Sequence, residues 1–280
     1  MTSVRTFSEQ PYRQSNLDTG GENTIGAGGG EPSSWDTSIT KLRAWELTEY
    51  DRVLHLDSDI TLLDNLDELF LLPKTPVAMP RAYWTDDVRA SQWPLTSLLI
   101  LLEPNPAELR GMLATLRSWW MESEQTRSHF KQYDMELLNH RFGASALVLP
   151  HRPYALLSAE WRQSSHDAYL GLINAAADIK SAQRWDPSRA LAEAKLVHFS
   201  DWPLPKPWIM WPYEGVAEIQ PNCTAIHGTE TRSCKEREVW KGLYDDFRKR
   251  RKDVCRLLSV AAPDWKKHKE SVGAGKKQDE

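Results

Sequence analysis

Two aspartates separated by one residue carry the chemistry that this sequence most readily suggests. Asp57 and Asp59 flank Ser58 and directly follow the apolar run Arg52–Leu56. Such a run predicts a buried strand, and carboxylates at the end of a strand in an open α/β sheet lie where ligands bind. Their oxygens suit a hard divalent cation, with coordination positions left for a diphosphate. We therefore expect a metal site here, although an exposed turn can also produce an Asp-x-Asp triplet.

The elements that must position this triplet alternate between strands and helices. Short apolar runs predict strands at residues 52–56, 77–79, 97–102, 145–149 and 196–199. Apolar residues at helical spacing predict helices at 35–45, 107–121, from 134 onward and at 236–257. This alternation is typical of the α/β class.

The two ends of the chain differ in composition from its centre. Residues 1–34 are rich in Gly, Ser and Thr and lack hydrophobic periodicity, and residues 264–280 are rich in Lys and Gly. Neither segment carries enough apolar surface to offset the entropy of ordering. We expect a disordered segment at 1–34, one domain at 35–263 and a disordered tail at 264–280.

Charge and hydropathy argue against two kinds of partner. The formal net charge is -4 and acidic and basic residues are interspersed, so the sequence shows no basic footprint for nucleic acid. It also contains no apolar run long enough to cross a bilayer and no apolar signal-peptide core. The basic run at 248–252 is the solvated face of a helix in one interpretation and a membrane-surface patch in another.

Cysteine usage leaves the redox compartment open. Three cysteines are present, so at least one is unpaired, and Cys223 and Cys234 can form a disulfide. The triplet Asn222-Cys223-Thr224 is an N-x-T glycosylation sequon, which would suit a secretory lumen.

Several stretches occur together, in this order, in one known family. They are Thr40–Leu42, Tyr50–Asp59, Asp67–Phe70, Tyr133–Asn139, His198–Trp202 and Lys206–Trp208. From about Trp35 to Trp208 the chain thus resembles the glycogenin-like (family 8) glycosyltransferases. Three further stretches resemble the fungal N-acetylglucosaminyltransferase branch of that family: Pro80–Trp84, Ala146–Tyr154 and Glu193–Lys195.

The resemblance implies a fold and an activity. The fold would be the GT-A nucleotide-diphospho-sugar transferase fold, with a mixed, mostly parallel sheet. The activity would be metal-dependent, retaining transfer of a sugar, in this branch GlcNAc, from a UDP-sugar donor to a glycan acceptor. Mn²⁺ or Mg²⁺ would be the metal, and the expected location is the Golgi lumen, with membrane attachment only if an anchor was lost with the N-terminus.

The resemblance also implies roles for individual residues. The metal ligands would be Asp57, Asp59 and His198. The residues that bind the donor would be Lys41, Ser58, Lys206 and Trp208, and the catalytic pair would be Asp134 and Lys41.

Some of these assignments compete with simpler interpretations. His198 alone would more often be a packed histidine, and the Lys-Pro-Trp that follows favours a ligand. Asp134 and Glu136 point to different sides of a helix, and we favour Asp134 as the residue that faces the donor sugar. Asp201 can orient the His198 imidazole or cap its loop.

The chain departs from the family pattern before and after the triplet. Only 56 residues precede Asp57, so we expect part of the N-terminal nucleotide-binding half to be missing. Thr96-Ser97-Leu98 stands where the family has Asn, Ser or Ala, and Gly, and Asp134-Met135 stands for Asp-Gln. The alternative function is therefore a truncated, non-catalytic GT-A fragment that binds sugar or a partner.

A second enzyme class shares one of these motifs. Leu56–Thr61 also matches the Asp-x-Asp-x-Thr nucleophile motif of haloacid-dehalogenase-type phosphatases. The acidic Gly-Asp-x-x-x-Asp motif that such enzymes need further along the chain is missing from the sequence. This phosphatase alternative is therefore the weaker one.

Overall fold

A computed structural model describes residues 38–85, 93–126, 133–173, 184–225 and 232–278. The segment 1–34, predicted to be disordered, lies outside the described residues.

The described strands are short and form three sheets. They are β1 (Val53–Leu56), β2 (Ile60–Leu62), β3 (Val77–Pro80), β4 (Leu99–Leu102), β5 (Leu147–Leu149), β6 (Leu156–Leu157), β7 (Leu196–His198), β8 (Thr224–Ala225) and β9 (Arg232–Ser233). The sheets have the orders β1-β4-β3-β5, β2-β7-β6 and β8-β9.

The described α-helices range from about one turn to nearly six. They are α1 (Pro106–Thr126), α2 (Asp134–Phe142), α3 (His151–Tyr154), α4 (Asp167–Leu170), α5 (Pro187–Glu193), α6 (Tyr213–Ile219), α7 (Lys235–Asp253) and α8 (Trp265–Gln278). Three 3₁₀ helices in the described part of the chain lie at Ser38–Glu46, Asp67–Leu71 and Ser158–Arg162.

The four-stranded sheet is mixed, but it is not mostly parallel as predicted. Strand β4 runs antiparallel to both β1 and β3, and only the β3–β5 pairing is parallel. All four residues of β4 are buried, which is what its apolar run predicts. The mostly parallel arrangement was implied by the resemblance, and an apolar run indicates burial on both faces without any information about strand direction.

The second sheet brings two distant parts of the chain together. Strand β7 pairs antiparallel with β2, and the register places His198 opposite Ile60, the residue after Asp59. On its other side β7 pairs parallel with β6. The strand pairing therefore carries His198 to Asp59, although 138 residues separate the two positions in the chain.

Two hydrophobic clusters lie on the two faces of β4. Leu99 and Leu101 belong to the larger cluster, with the buried side chains of β6, β7 and α7. Ile100 and Leu102 belong to the other, with residues of the first 3₁₀ helix, α1 and α2. The alternation of side chains along a strand explains this division. The fold is thus α/β, as predicted, with packing layers on both faces of the sheet.

The C-terminal tail differs from its prediction. Residues of the segment predicted to be disordered form α8, and its first residue, Trp265, is buried. The Trp265 indole donates to Glu218 at 2.9 Å, and His268 lies 2.9 Å from the Pro203 carbonyl oxygen. A single buried indole in a Lys-rich segment produces no hydrophobic periodicity, so the burial of Trp265 could not be predicted from the composition.

A disulfide joins Cys223 to Cys234, and Cys255 is free and exposed. Cys234 is the residue before α7, so the disulfide ties the β8–β9 hairpin to the start of that helix. In the part of the chain that the structure describes, no helix is both long and apolar enough for a membrane crossing.

Candidate active site

The turn after β1 presents the two aspartates. The Asp57 amide donates to the Leu98 carbonyl at 3.0 Å, and the Asp59 carbonyl accepts from the Phe199 amide at 2.9 Å. Asp57 is half-buried, Asp59 is buried, and Ser58 between them is exposed. Backbone hydrogen bonds to both sheets thus fix the triplet at their junction.

Three potential metal ligands converge at this junction. One ligand atom each of Asp57, Asp59 and His198 lies within 4.8 Å of the other two. Ligands on opposite sides of a small divalent cation are about 4 Å apart and neighbouring ones are closer, so modest side-chain rotation suffices. Two carboxylates and an imidazole are a donor set that Mn²⁺ accepts. These residues therefore fit the metal that the sequence implied.

Asp59 is held by two cationic or ionisable partners. His198 Nε2 lies 3.2 Å from Asp59 Oδ1, and the Lys206 ammonium contacts Oδ2. Burial raises the pKa of Asp59, but His198 and Lys206 together outweigh burial and hold that pKa well below its usual range. Asp59 is therefore an anion at neutral pH, as a metal ligand must be.

Lys41 joins Asp57 to a second acidic residue. Its ammonium lies 2.9 Å from Asp57 Oδ1 and 2.7 Å from Asp134 Oδ2, and it donates to the Ser97 hydroxyl at 3.2 Å. Burial lowers the pKa of Lys41, but the two carboxylates prevail and raise it. Lys41 therefore remains charged between the two anions.

Asp134 faces this cluster and Glu136 does not. Asp134 is the first residue of α2, and its carboxylate also accepts from the Ser97 hydroxyl. Burial raises the pKa of Asp134, whereas Lys41 and then Ser97 lower it, with a net lowering. Glu136 turns back to accept from the Tyr133 amide at 2.9 Å and caps the helix.

Two residues assigned to donor binding lie at the margin of this site. Ser58 is exposed in the turn, and Trp208 is half-buried with its carbonyl accepting from the Val260 amide at 2.9 Å. Within the described ranges, neither side chain hydrogen-bonds to Asp57, Asp59 or Asp134. Trp211 is partly buried and packs against the core, stacked on Trp240 at 4.9 Å.

Three residues near the site carry roles that the sequence did not reveal. Ser97 bridges Lys41 and Asp134. His55 lies in β1, two residues before Asp57, and burial followed by the Lys41 charge lowers its pKa; the two-residue period of the strand, extended to Asp57, could have identified it. Asp201 does not orient His198, because its carboxylate accepts from Ser158 and other buried donors.

Comparisons with known proteins place the chain among fungal relatives. No known protein-family profile matches the chain. It is 50% identical over 234 residues to "Glucose N-acetyltransferase 1" of Aspergillus fumigatus, covering 82% of this chain and 58% of that protein. It is 42% identical over 236 residues to the protein of the same name from Gibberella zeae, covering 84% and 48%. The chain spans about half the length of the curated relatives it matches.

Similar solved structures are glycosyltransferases. One is the galactosyltransferase LgtC in complex with donor and acceptor sugar analogues, with a TM-score of 0.42, 14% identity and coverage of 83% of this chain and 71% of that one.

The similarity to the two fungal proteins extends over most of this chain and confirms the resemblance to the fungal branch. The chain is a homologue of the fungal proteins named glucose N-acetyltransferase 1.

Proposed function

We propose that this protein is a metal-dependent, retaining glycosyltransferase that moves GlcNAc from UDP-GlcNAc to a glycan acceptor. The convergence of Asp57, Asp59 and His198 within 4.8 Å carries this proposal. Relatives at 50% and 42% identity, named as transferases with glucose in the name, support the substrate class.

Asp57, Asp59 and His198 would hold the cation, either Mn²⁺ or Mg²⁺. When bound, such a cation stabilises the negative charge that develops on a departing diphosphate. Asp59 is anionic and can therefore coordinate a cation. The neighbouring Ser58 is exposed, so a cation can reach the turn from solvent.

The two lysines have different tasks in this proposal. Lys206 has a partly exposed side chain, so side-chain rotation would move its ammonium from Asp59 to the donor phosphates. Lys41 is buried between two carboxylates, so it fixes their positions and adds one positive charge behind the diphosphate. The partly buried Trp208 and the exposed Ser58 would complete the donor contacts.

Asp134 is proposed to orient the donor sugar. Its carboxylate is ionised and held by Lys41 and Ser97, which makes it a weak proton acceptor and a well-placed hydrogen-bond acceptor. A front-side reaction, in which the leaving phosphate takes the acceptor proton, needs no other base at this position.

The Golgi lumen is the proposed location. The Cys223–Cys234 disulfide supports it, because structural disulfides persist in oxidising compartments. Asn222, in the sequon beside that disulfide, is exposed. Co-localisation of the tagged chain with Golgi markers would support the assignment, and a cytosolic distribution would contradict it.

Turnover on purified protein tests the activity. UDP release from UDP-GlcNAc is measured with Mn²⁺ and mannoside acceptors, for the wild type and Asp57→Asn. We expect release that depends on both acceptor and metal and that is lost in the variant. Acetyl-CoA as donor and glucose as acceptor form the control reaction, because the relatives' name taken literally describes acetyl transfer. Folded protein that binds UDP with Mn²⁺ in calorimetry but never releases UDP would identify the non-catalytic alternative.

A further inference from the structure

The loop between His198 and Lys206 has to place two side chains on one carboxylate. His198 ends β7 and Lys206 follows eight residues later, and both contact Asp59, through different oxygens. A loop of this length has many conformations, and few of them keep both contacts. Groups outside the loop must therefore fix its path.

Asp201 lies inside this loop and is buried, so its carboxylate needs hydrogen-bond donors from the protein. Its side chain is 0% exposed. A buried carboxylate is costly unless hydrogen bonds and a counter-charge compensate for the lost hydration. Three donors do so: the Ser158 hydroxyl, the Tyr244 hydroxyl at 2.8 Å and Arg162 Nη1 at 3.1 Å.

All three donors belong to other elements. Ser158 and Arg162 lie on the third 3₁₀ helix, and Tyr244 lies on α7. The Ser158 hydroxyl also accepts from the Ser200 amide at 3.0 Å, so it holds the loop at two adjacent residues. Burial and then the Asp201 charge raise the pKa of Tyr244 well above its usual value, which keeps its hydroxyl a donor.

Helix α7 holds the same segment on both sides of Lys206. Before it, the Phe199 ring packs on Tyr244 at 4.5 Å and on Phe247 at 5.3 Å. After it, Trp211 packs on Tyr244 at 4.3 Å and lies under the Arg248 guanidinium, also at 4.3 Å.

We propose that Asp201 is a positioning residue: anchored by Tyr244, Ser158 and Arg162, it fixes the loop so that His198 and Lys206 reach Asp59 together. This inference rests on the proposed metal site and adds the residues that hold its third ligand in place. Asp201 acts through His198 and Lys206, since its own carboxylate is fully occupied by the three donors.

Tyr244→Phe tests the proposal, because it removes one hydroxyl and keeps the packed ring. Tyr169→Phe is the matched control: Tyr169 is equally buried at 1% exposure, and its hydroxyl donates to the Arg152 carbonyl, in a different part of the chain. Mn²⁺ affinity is measured by calorimetry on the whole chain, alongside the melting temperature. We expect Tyr244→Phe to weaken Mn²⁺ binding about tenfold, the effect typical of groups that orient metal ligands. Tyr169→Phe should bind Mn²⁺ as the wild type does, with a smaller loss of melting temperature, because its hydroxyl bonds a neutral carbonyl at 3.4 Å.

The outcomes separate this inference from the proposed function. Equal Mn²⁺ affinity in the wild type and Tyr244→Phe overturns the positioning role alone. A wild type that binds no Mn²⁺ overturns both proposals. If Tyr244→Phe does not fold, Arg162→Gln replaces it, because the Arg162 side chain is 23% exposed and its loss weakens the same anchor. Unchanged Mn²⁺ affinity in that variant would equally overturn the role.

Discussion

The ammonium of Lys41 lies 2.7 Å from a carboxylate oxygen of Asp134. The same ammonium lies 2.9 Å from Asp57, so one buried cation joins a proposed metal ligand to the residue proposed to face the donor sugar. A charge shared between two anions holds both at fixed positions without neutralising either one completely. The metal side and the sugar side of the site are therefore coupled through one residue.

Lys41→Met should impair both catalysis and folding. We expect kcat to fall by roughly 10²–10³, as when a preorganised charge is removed from a reacting centre. Two carboxylates would lose their counter-ion, so the free energy of unfolding should fall by about 3–5 kcal/mol. Turnover assays and urea denaturation measure the two effects. Lys249→Met, which breaks an exposed pair with Asp253, is the control. A Lys41→Met protein with the wild-type kcat would refute the coupling.

His198→Ala should weaken metal binding directly. His198 supplies the one nitrogen donor among the three converging residues, so Mn²⁺ affinity measured by calorimetry should fall by at least about tenfold. His140→Ala removes an exposed imidazole on α2 and should leave the affinity unchanged. Equal losses in the two variants would argue against a role for His198 as a ligand.

Acid should destabilise the fold through Asp134. Its pKa is lowered in the folded state, because Lys41 outweighs burial. A carboxyl group with a lowered folded-state pKa stabilises the fold above its unfolded pKa, about 3.9, and this contribution is lost as the pH falls through the lowered value. Asp134→Asn should therefore be less stable at pH 7 and lose less further stability on acidification. The measurement is the free energy of unfolding across the acid range, and parallel curves for the two proteins would count against this account.

Reduction of the disulfide should cost stability. Cys223 and Cys234 are separated by 11 positions, and closure of a loop of that length is worth about 3 kcal/mol in the chain-entropy treatment. Cys223→Ser should lower the free energy of unfolding by that amount, measured with urea in the absence of reductant. Cys255→Ser changes an exposed free thiol and should have little effect. Comparable stability of the two variants would show that the cross-link contributes nothing.

The sequence predicted the elements of this site better than it predicted their arrangement. The apolar run at Arg52–Leu56 and the two carboxylates after it identified the strand and the turn, because hydrophobicity and charge are properties of single residues. The strand is half-buried and not buried as predicted, since burial depends on what packs against it. The prediction that His198 lies near Asp59 came from the resemblance alone, because strand pairing between distant segments leaves no periodic pattern in the sequence. The antiparallel pairing of β4 and the burial of Trp265 also depend on contacts between distant segments, and the sequence predicted neither of them.

The Asp201 anchor shows what the sequence alone does not reveal. An aspartate three residues after a candidate ligand suggested contact with that ligand. Its actual partners are Ser158 and Arg162, about 40 positions earlier, and Tyr244, 43 positions later. Only the folded arrangement brings those donors together.

Strand β1 lies at one edge of the four-stranded sheet, and its four residues are only half-buried. In the part of the chain that the structure describes, no strand pairs with its outer side. The backbone groups along such an edge are a template for any extended segment that approaches. Asp57 follows this strand directly. A segment that paired with the outer edge of β1 would therefore shift or fix the position of a proposed metal ligand.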